Sequence, residues 1–306
     1  MTTSIADKLS AAYQSKPKKL RIDELKWRYL LRSTYRGKNI LLVGPTGCGK
    51  TLAAKSVVEA VGAQANHIII NMGSTQDPRT TLIGKTLLDK STGTLFNPSP
   101  FATAISTPNC VVILDEISRG HPEAWNLLMP VLDETQRTLR LDEKPDSPVV
   151  QVAEGVTFIA TANIGSEYTA TRVMDRALLG RFSVKVEMDY LPTEDEVALV
   201  LEEVSQTLIS EAEEIVGIAN LVRGLARQGK VHTGVSTRSV LEMAGLLVDG
   251  FSLLEAAQMV LFTDYPDDGG VESERTIIKQ VVQKFLPSQD AAALGLPTGP
   301  NSATLS

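Results

Sequence analysis

Short uninterrupted apolar runs and amphipathic stretches take turns along the first 190 residues of the chain. The runs lie at 39–43, 67–71, 110–114, 156–161 and 183–188. A run of this length predicts a strand buried on both faces. Between the runs, 52–61, 100–105 and 123–132 have helical character, and Leu25, Leu30 and Leu31 set a short helix over 22–35. Strands alternating with helices predict an α/β fold, a parallel sheet with helices on both sides. Beyond residue 190 the strand-like runs stop. Four amphipathic segments follow, at 194–208, 212–226, 238–247 and 253–262, and predict a small all-helical domain. The expected organisation is a flexible polar arm over 1–19, an α/β domain over 20–190, a helical domain over 191–286 and a mobile tail over 287–306.

Composition narrows the class. The 306 residues are 43% hydrophobic and 22% charged, ordinary values for a soluble globular protein. No apolar run nears the roughly 20 residues that span a bilayer, and the first ten residues lack the apolar core of a secretory signal. The expectation is a cytoplasmic protein with no membrane contact. The two cysteines, Cys48 and Cys110, cannot build a disulfide framework, and His67, His121 and His232 are too scattered for a zinc site. A net charge of −6 weighs against a dedicated nucleic-acid binder. Charge is uneven: 16–38 is basic, and 194–214, with Glu194, Glu196, Glu202 and Glu203, is acidic. Each is expected to be a solvated helix face; the alternative is a subunit surface where basic meets acidic.

The chemistry concentrates at three strand ends. Gly44, Pro45, Thr46, Gly47, Cys48, Gly49, Lys50 and Thr51 fit G-x-x-x-x-G-K-[ST] between an apolar run and a helix. The glycines let successive N–H groups face a phosphate, and the helix beginning near Thr51 adds its positive end. Lys50 is placed to reach the β- and γ-phosphates, Thr51 to ligate Mg²⁺, and Leu52 follows in the first helical turn. Cys48 fills a free position of the motif and is expected to be a loop residue rather than a nucleophile. The run at 111–114 ends in Asp115 and Glu116. Two carboxylates at the end of a buried strand overlook the ligand crevice of a parallel sheet. Asp115 is expected to hold the Mg²⁺ and Glu116 to activate the attacking water. The run at 158–162 ends in Asn163, which either positions that water or is a simple turn residue.

Together these elements resemble the AAA+ superfamily. Residues 44–51 are similar to its Walker A motif, 114–116 to Walker B and Asn163 to sensor 1. The segment 175–182 resembles the one that carries the arginine finger, with Arg181 the leading candidate and Arg176 the runner-up. Arg238, following Val235, Ser236 and Thr237, resembles the sensor 2 arginine at the start of a lid helix. Two insertions, 85–97 with a turn at 89–93 and 138–152, resemble the hairpins of the MoxR branch, which includes NorQ, CbbQ and cobaltochelatase-type subunits. Asp115-Glu116-Ile117-Ser118-Arg119 is similar to that branch's D-E-I-N-R, with Ser118 in place of Asn.

The resemblance implies a P-loop NTPase core with a helical lid. It implies ATP with Mg²⁺ as cofactors, a ring commonly of six subunits with ATP between neighbours, and ATP hydrolysis spent on remodelling or assembling a protein partner, often a von Willebrand factor A-type protein. A McrB-like nucleic-acid motor is the alternative function. The basic N-terminal stretch supports it; the net negative charge and the lack of a recognisable DNA-binding module oppose it. No N-K-x-D segment is present to read guanine, which favours ATP over GTP.

Overall fold

The five apolar runs assemble into one parallel sheet, whose strands stand in the order His67–Asn71, Val111–Asp115, Thr157–Ala162, Ile40–Val43 and Val184–Glu187. The computed structural model describes residues 5–89, 93–163, 174–288, 290 and 294. The chain divides into two compact units: the residues up to Pro45 with Gly49–Asp189, and Thr46–Cys48 with the residues from Tyr190 onward.

In chain order the first unit holds α1 (Ile5–Gln14), α2 (Glu24–Tyr35), β1 (Ile40–Val43), α3 (Lys50–Ala60), β2 (His67–Asn71), α4 (Pro78–Leu82), β3 (Gly84–Asp89), β4 (Gly93–Pro98), α5 (Pro100–Ile105) and β5 (Val111–Asp115). It continues with α6 (Pro122–Leu132), β6 (Thr138–Arg140), β7 (Val149–Gln151), β8 (Thr157–Ala162), α7 (Arg176–Gly180) and β9 (Val184–Glu187). β1, β5 and β8 are central, and nearly all their residues are buried. The register sets Val43 beside Ala162 and Leu114 beside Ala160, so β1, β5 and β8 end at one edge of the sheet. Side chains from both faces close the core; Phe101 of α5 meets Phe158 of β8 at 6.4 Å between ring centroids.

Two expectations change in this unit. The run at 67–71 is not buried on both faces: β2 is an edge strand, and Ile70 alone in it is buried. The arm expected over 1–19 includes α1, whose Ala12 is buried and whose Tyr13 ring lies 5.0 Å from the Arg28 guanidinium of α2. A tertiary neighbour stabilises a helix too short to persist alone. The two expected insertions are antiparallel hairpins, β3–β4 and β6–β7. The centre of the turn expected at 89–93, and most of the tail expected at 287–306, lie outside the described residues.

The second unit holds α8 (Thr193–Glu203), α9 (Ile209–Arg227), α10 (Thr237–Val248), α11 (Leu253–Val260) and α12 (Glu274–Gln283). Its core gathers round α9, with Ile215, Ile218, Ala219 and Val222 fully enclosed. Ser252 and Glu255 form a reciprocal capping box that starts α11. α12 was not expected; its polar positions obscure a narrow stripe of Ile278, Val281 and Val282 that packs into the core. The acidic stretch is not wholly a solvated face either. Glu196 is completely buried, because α8 turns it towards Arg223 of α9.

Candidate functional site

β1 runs directly into the glycine-rich loop, and the Gly44 N–H donates to the Ala162 carbonyl at 3.3 Å. Gly47 (φ 76°) and Gly49 (φ 92°) take left-handed conformations that strain any other residue. Gly49 is the N-cap of α3, so the open N–H groups of the helix start face the loop. Lys50 is buried, and its ammonium donates to the Gly44 and Pro45 carbonyls at 2.9 and 2.6 Å. It therefore arches across the loop it belongs to. Cys48 is buried within the loop. Leu52 is partly exposed on the first turn of α3.

The two strand-end carboxylates are held differently. Asp115 Oδ1 accepts the Thr51 hydroxyl at 2.8 Å and the Thr161 hydroxyl at 2.6 Å. The Thr161 oxygen in turn accepts the Glu116 N–H at 2.9 Å. One hydroxyl thus orients both Asp115 and the backbone that leads away from it. Glu116 is left-handed at φ 55°, ψ 42°, a conformation costing a non-glycine residue about 1–3 kcal/mol. That turn carries its carboxylate out of the strand line. Its Oε2 meets Arg119 Nη1 at 3.2 Å, and a Cβ on Gly73 would come within 2.9 Å of the same oxygen. Ser118 Oγ accepts the Asn163 N–H at 3.3 Å, tying the end of β8 to the turn after β5.

Thr51, Asp115, Glu116 and Asn163 are therefore brought together at the C-terminal edge of β1, β5 and β8. The Thr51 hydroxyl and Asp115 carboxylate form a pair of hard oxygen donors beside a phosphate-type loop. That donor set fits Mg²⁺, which takes carboxylate, hydroxyl and phosphate oxygens. Thr161, Gly73 and Arg119 were not singled out as site residues from the sequence. For Thr161 a signal existed: a hydroxyl in a mainly apolar, buried strand must find a partner.

The arginines separate. Arg181 follows α7; its carbonyl accepts from Asn39 at 2.9 Å, and its guanidinium pairs with Asp133 at 3.1 Å. Arg176 starts α7, is exposed, and has no side-chain partner among the described residues. Arg238 is exposed in the first turn of α10, which Ser236 caps by accepting the Ser239 N–H.

The chain is similar to known proteins over both units. Residues 39–182 match the family model described as AAA domain (dynein-related subfamily), and 196–292 match CbbQ/NirQ/NorQ C-terminal. A Thauera aromatica protein named "Putative chaperone BssE" is 35% identical over 230 residues, covering 74% of this chain and 75% of that one. An uncharacterized Staphylococcus saprophyticus protein is 30% identical, covering 68% and 78%. Among solved structures, Hsp104 with ATPγS and casein aligns at TM-score 0.52 and 16% identity, over 71% of this chain and 45% of that one. NtrX from Brucella abortus with ADP aligns at TM-score 0.52 and 18% identity, over 94% and 63%. At such identities the two structures speak for the fold alone.

Proposed function

Because the chain belongs to the MoxR-type AAA+ ATPases, we propose that it hydrolyses ATP with Mg²⁺ as a ring, commonly of six subunits, and uses the cycle to remodel or assemble a protein partner. The observation that carries this reading is the joint between Thr51, Asp115, Thr161 and Glu116, which fastens a phosphate loop to a strand end offering one tethered and one projecting carboxylate. In this scheme the loop N–H groups and Lys50 hold the β- and γ-phosphates. Thr51 and Asp115 would hold a Mg²⁺, which would offset charge on the phosphate oxygens. Glu116 orients the attacking water and accepts its proton, and Asn163 fixes that water against the γ-phosphate.

A neighbouring subunit supplies an arginine. Arg176 is preferred to Arg181, whose guanidinium is engaged by Asp133 within its own subunit. The name of the Thauera relative supports a protein client, as does the net negative charge. A von Willebrand factor A-type adaptor is the expected companion. Nucleic acid is not favoured, and the cytoplasm is the proposed compartment; no helix among the described residues is long and apolar enough to cross a membrane.

Nucleotide titration and steady-state ATPase assays test the scheme. Lys50→Ala is expected to abolish tight ATP binding. Glu116→Gln is expected to keep binding and lose turnover. Wild-type turnover in Glu116→Gln would remove the water-activating role from that residue. ATPase activity per subunit should also rise with protein concentration as rings assemble, and an active strict monomer would refute the ring.

A further inference from the structure

In the second unit the structure encloses an ion pair completely. Arg223 and Glu196 have side chains 2% and 0% exposed. Arg223 Nη1 and Nη2 donate to the two Glu196 oxygens at 2.6 and 2.8 Å, Nη1 also to Asn220 Oδ1 at 3.0 Å, and Nε to the Val235 carbonyl at 2.8 Å. The Tyr190 ring centroid stands 4.0 Å from the guanidinium carbon. Replacing a buried ion pair with apolar side chains of similar volume is often neutral or stabilising. A buried pair is therefore weak evidence of a stabilising role, and its partners show what it holds in place.

Those partners converge on two segments. The first leads into α10. The Val235 carbonyl accepts Arg223, and the Thr237 hydroxyl donates to Glu196 Oε1 at 2.7 Å. A Cβ on Gly234 would sit 3.1 Å from Arg223 Cγ and 3.2 Å from Tyr190 Oη, so the chain there lies directly on the pair. Arg238 is the next residue along. The second segment is the tip of the phosphate loop, where the Thr46 carbonyl accepts the Tyr190 hydroxyl at 3.0 Å. Gly47 packs so closely on Ser236 that a side chain there would collide with it.

We propose that the Glu196–Arg223 pair is a positioning element for nucleotide binding: through Tyr190 and Thr237 it sets the tip of the phosphate loop and the start of α10, with Arg238, as one piece. The pair itself touches no nucleotide. Arg238 lies where a helix N-terminus disfavours a cation, and an anionic phosphate relieves that conflict. The proposal rests on the ATP-binding reading above and specifies how two of its parts are kept in register.

Fluorescent ATP-analogue titration with parallel thermal melts tests it on the full chain. Wild-type protein that binds no analogue overturns the ATP reading and this proposal together. Given wild-type binding, the double replacement Glu196→Leu with Arg223→Met leaves the Val235 carbonyl and Thr237 hydroxyl without these partners, so it should lower the melting temperature by about a few degrees, remain folded, and bind about tenfold more weakly. In an Arg238→Ala background the same replacement should cost clearly less, because the two changes act through one element. Wild-type affinity in the double replacement, or fully additive losses with Arg238→Ala, overturns the positioning role and leaves ATP binding intact. Should the double replacement fail to fold, Tyr190→Phe decides. It keeps the ring and drops the bond to Thr46, with an expected loss of about three- to tenfold at unchanged melting temperature; unchanged affinity refutes the link.

Discussion

Glu116 and Glu196 are the same side chain in opposite settings. Glu116 is 35% exposed, stands on a left-handed backbone, and has Arg119 as its ion-pair partner. Glu196 is fully buried within α8 and accepts from Arg223 through both oxygens and from Thr237. Strain and acceptor capacity left over mark a group directed outward, to substrate or neighbour. Saturated bonding marks a group that holds other groups. A weaker form of the contrast separates Arg176, exposed at the start of α7, from Arg181, whose Nη2 is engaged by Asp133 while its buried Nε lacks a partner.

The arginines give the sharpest way to break this contrast. Arg176→Ala is expected to lower ATP turnover by about 10³-fold or more with binding retained, the scale of a trans arginine. Arg181→Ala should cost far less. Arg176→Ala subunits mixed with Lys50→Ala subunits should regain activity, because some interfaces join an intact loop to an intact arginine. If the pure Arg181→Ala protein proves as inactive as Arg176→Ala is expected to be, an ion pair within the subunit is no guide to role here, and Arg181 is the finger.

A milder change probes the joint that orients the two strand-end carboxylates. Thr161→Val keeps the shape of the residue and removes the hydroxyl that donates to Asp115 and accepts from Glu116. Losses of about 10–100-fold in apparent Mg²⁺ affinity are expected, the range for groups that orient metal ligands. Mg²⁺ titration of ATPase activity measures it. An unaltered Mg²⁺ response would mean that Thr51 alone suffices to orient Asp115.

The strand-end elements could be read from the sequence because their residues are neighbours in the chain. Residues 44–51 make a loop that only glycines at 47 and 49 permit, and Asp115 and Glu116 stand together at the end of an apolar run. The sheet's central strands follow equally from uninterrupted burial. The Arg223 network offered no such signal. Tyr190, Glu196, Asn220, Arg223, Val235 and Thr237 are spread over 48 positions, and Glu196 lies among acidic residues that look like solvated surface. Neither spacing nor residue type distinguishes it from Glu194 or Glu203; the rotation of α8 against α9 does. β2 escaped for a related reason, since an apolar run does not reveal whether a strand will have one neighbour or two.

The smallest effect concerns Asp133, the residue that engages Arg181. Its carboxyl is held below the usual aspartate range, first by the Thr135 hydroxyl at 2.6 Å, then by the Thr135 and Gln136 N–H groups, and also by the Arg181 charge. A depressed pKa means that the ionised form is the one the fold prefers. Its contribution to stability is complete above the ordinary aspartate value of about 4 and is lost as pH falls through the lower, folded value. Asp133→Asn lacks this titration. The melting temperatures of wild type and Asp133→Asn should therefore differ by a constant amount at neutral pH, begin to converge below about pH 4, and meet only below the lower, folded value. ATP turnover should change by no more than about twofold, because partly exposed ion pairs contribute little and Arg181 does not act on the phosphate in the preferred scheme. A large rise in turnover on releasing Arg181 would reverse that scheme: Asp133 would then be a restraint on the finger, and the pH at which the restraint is lost would mark where the enzyme is freed.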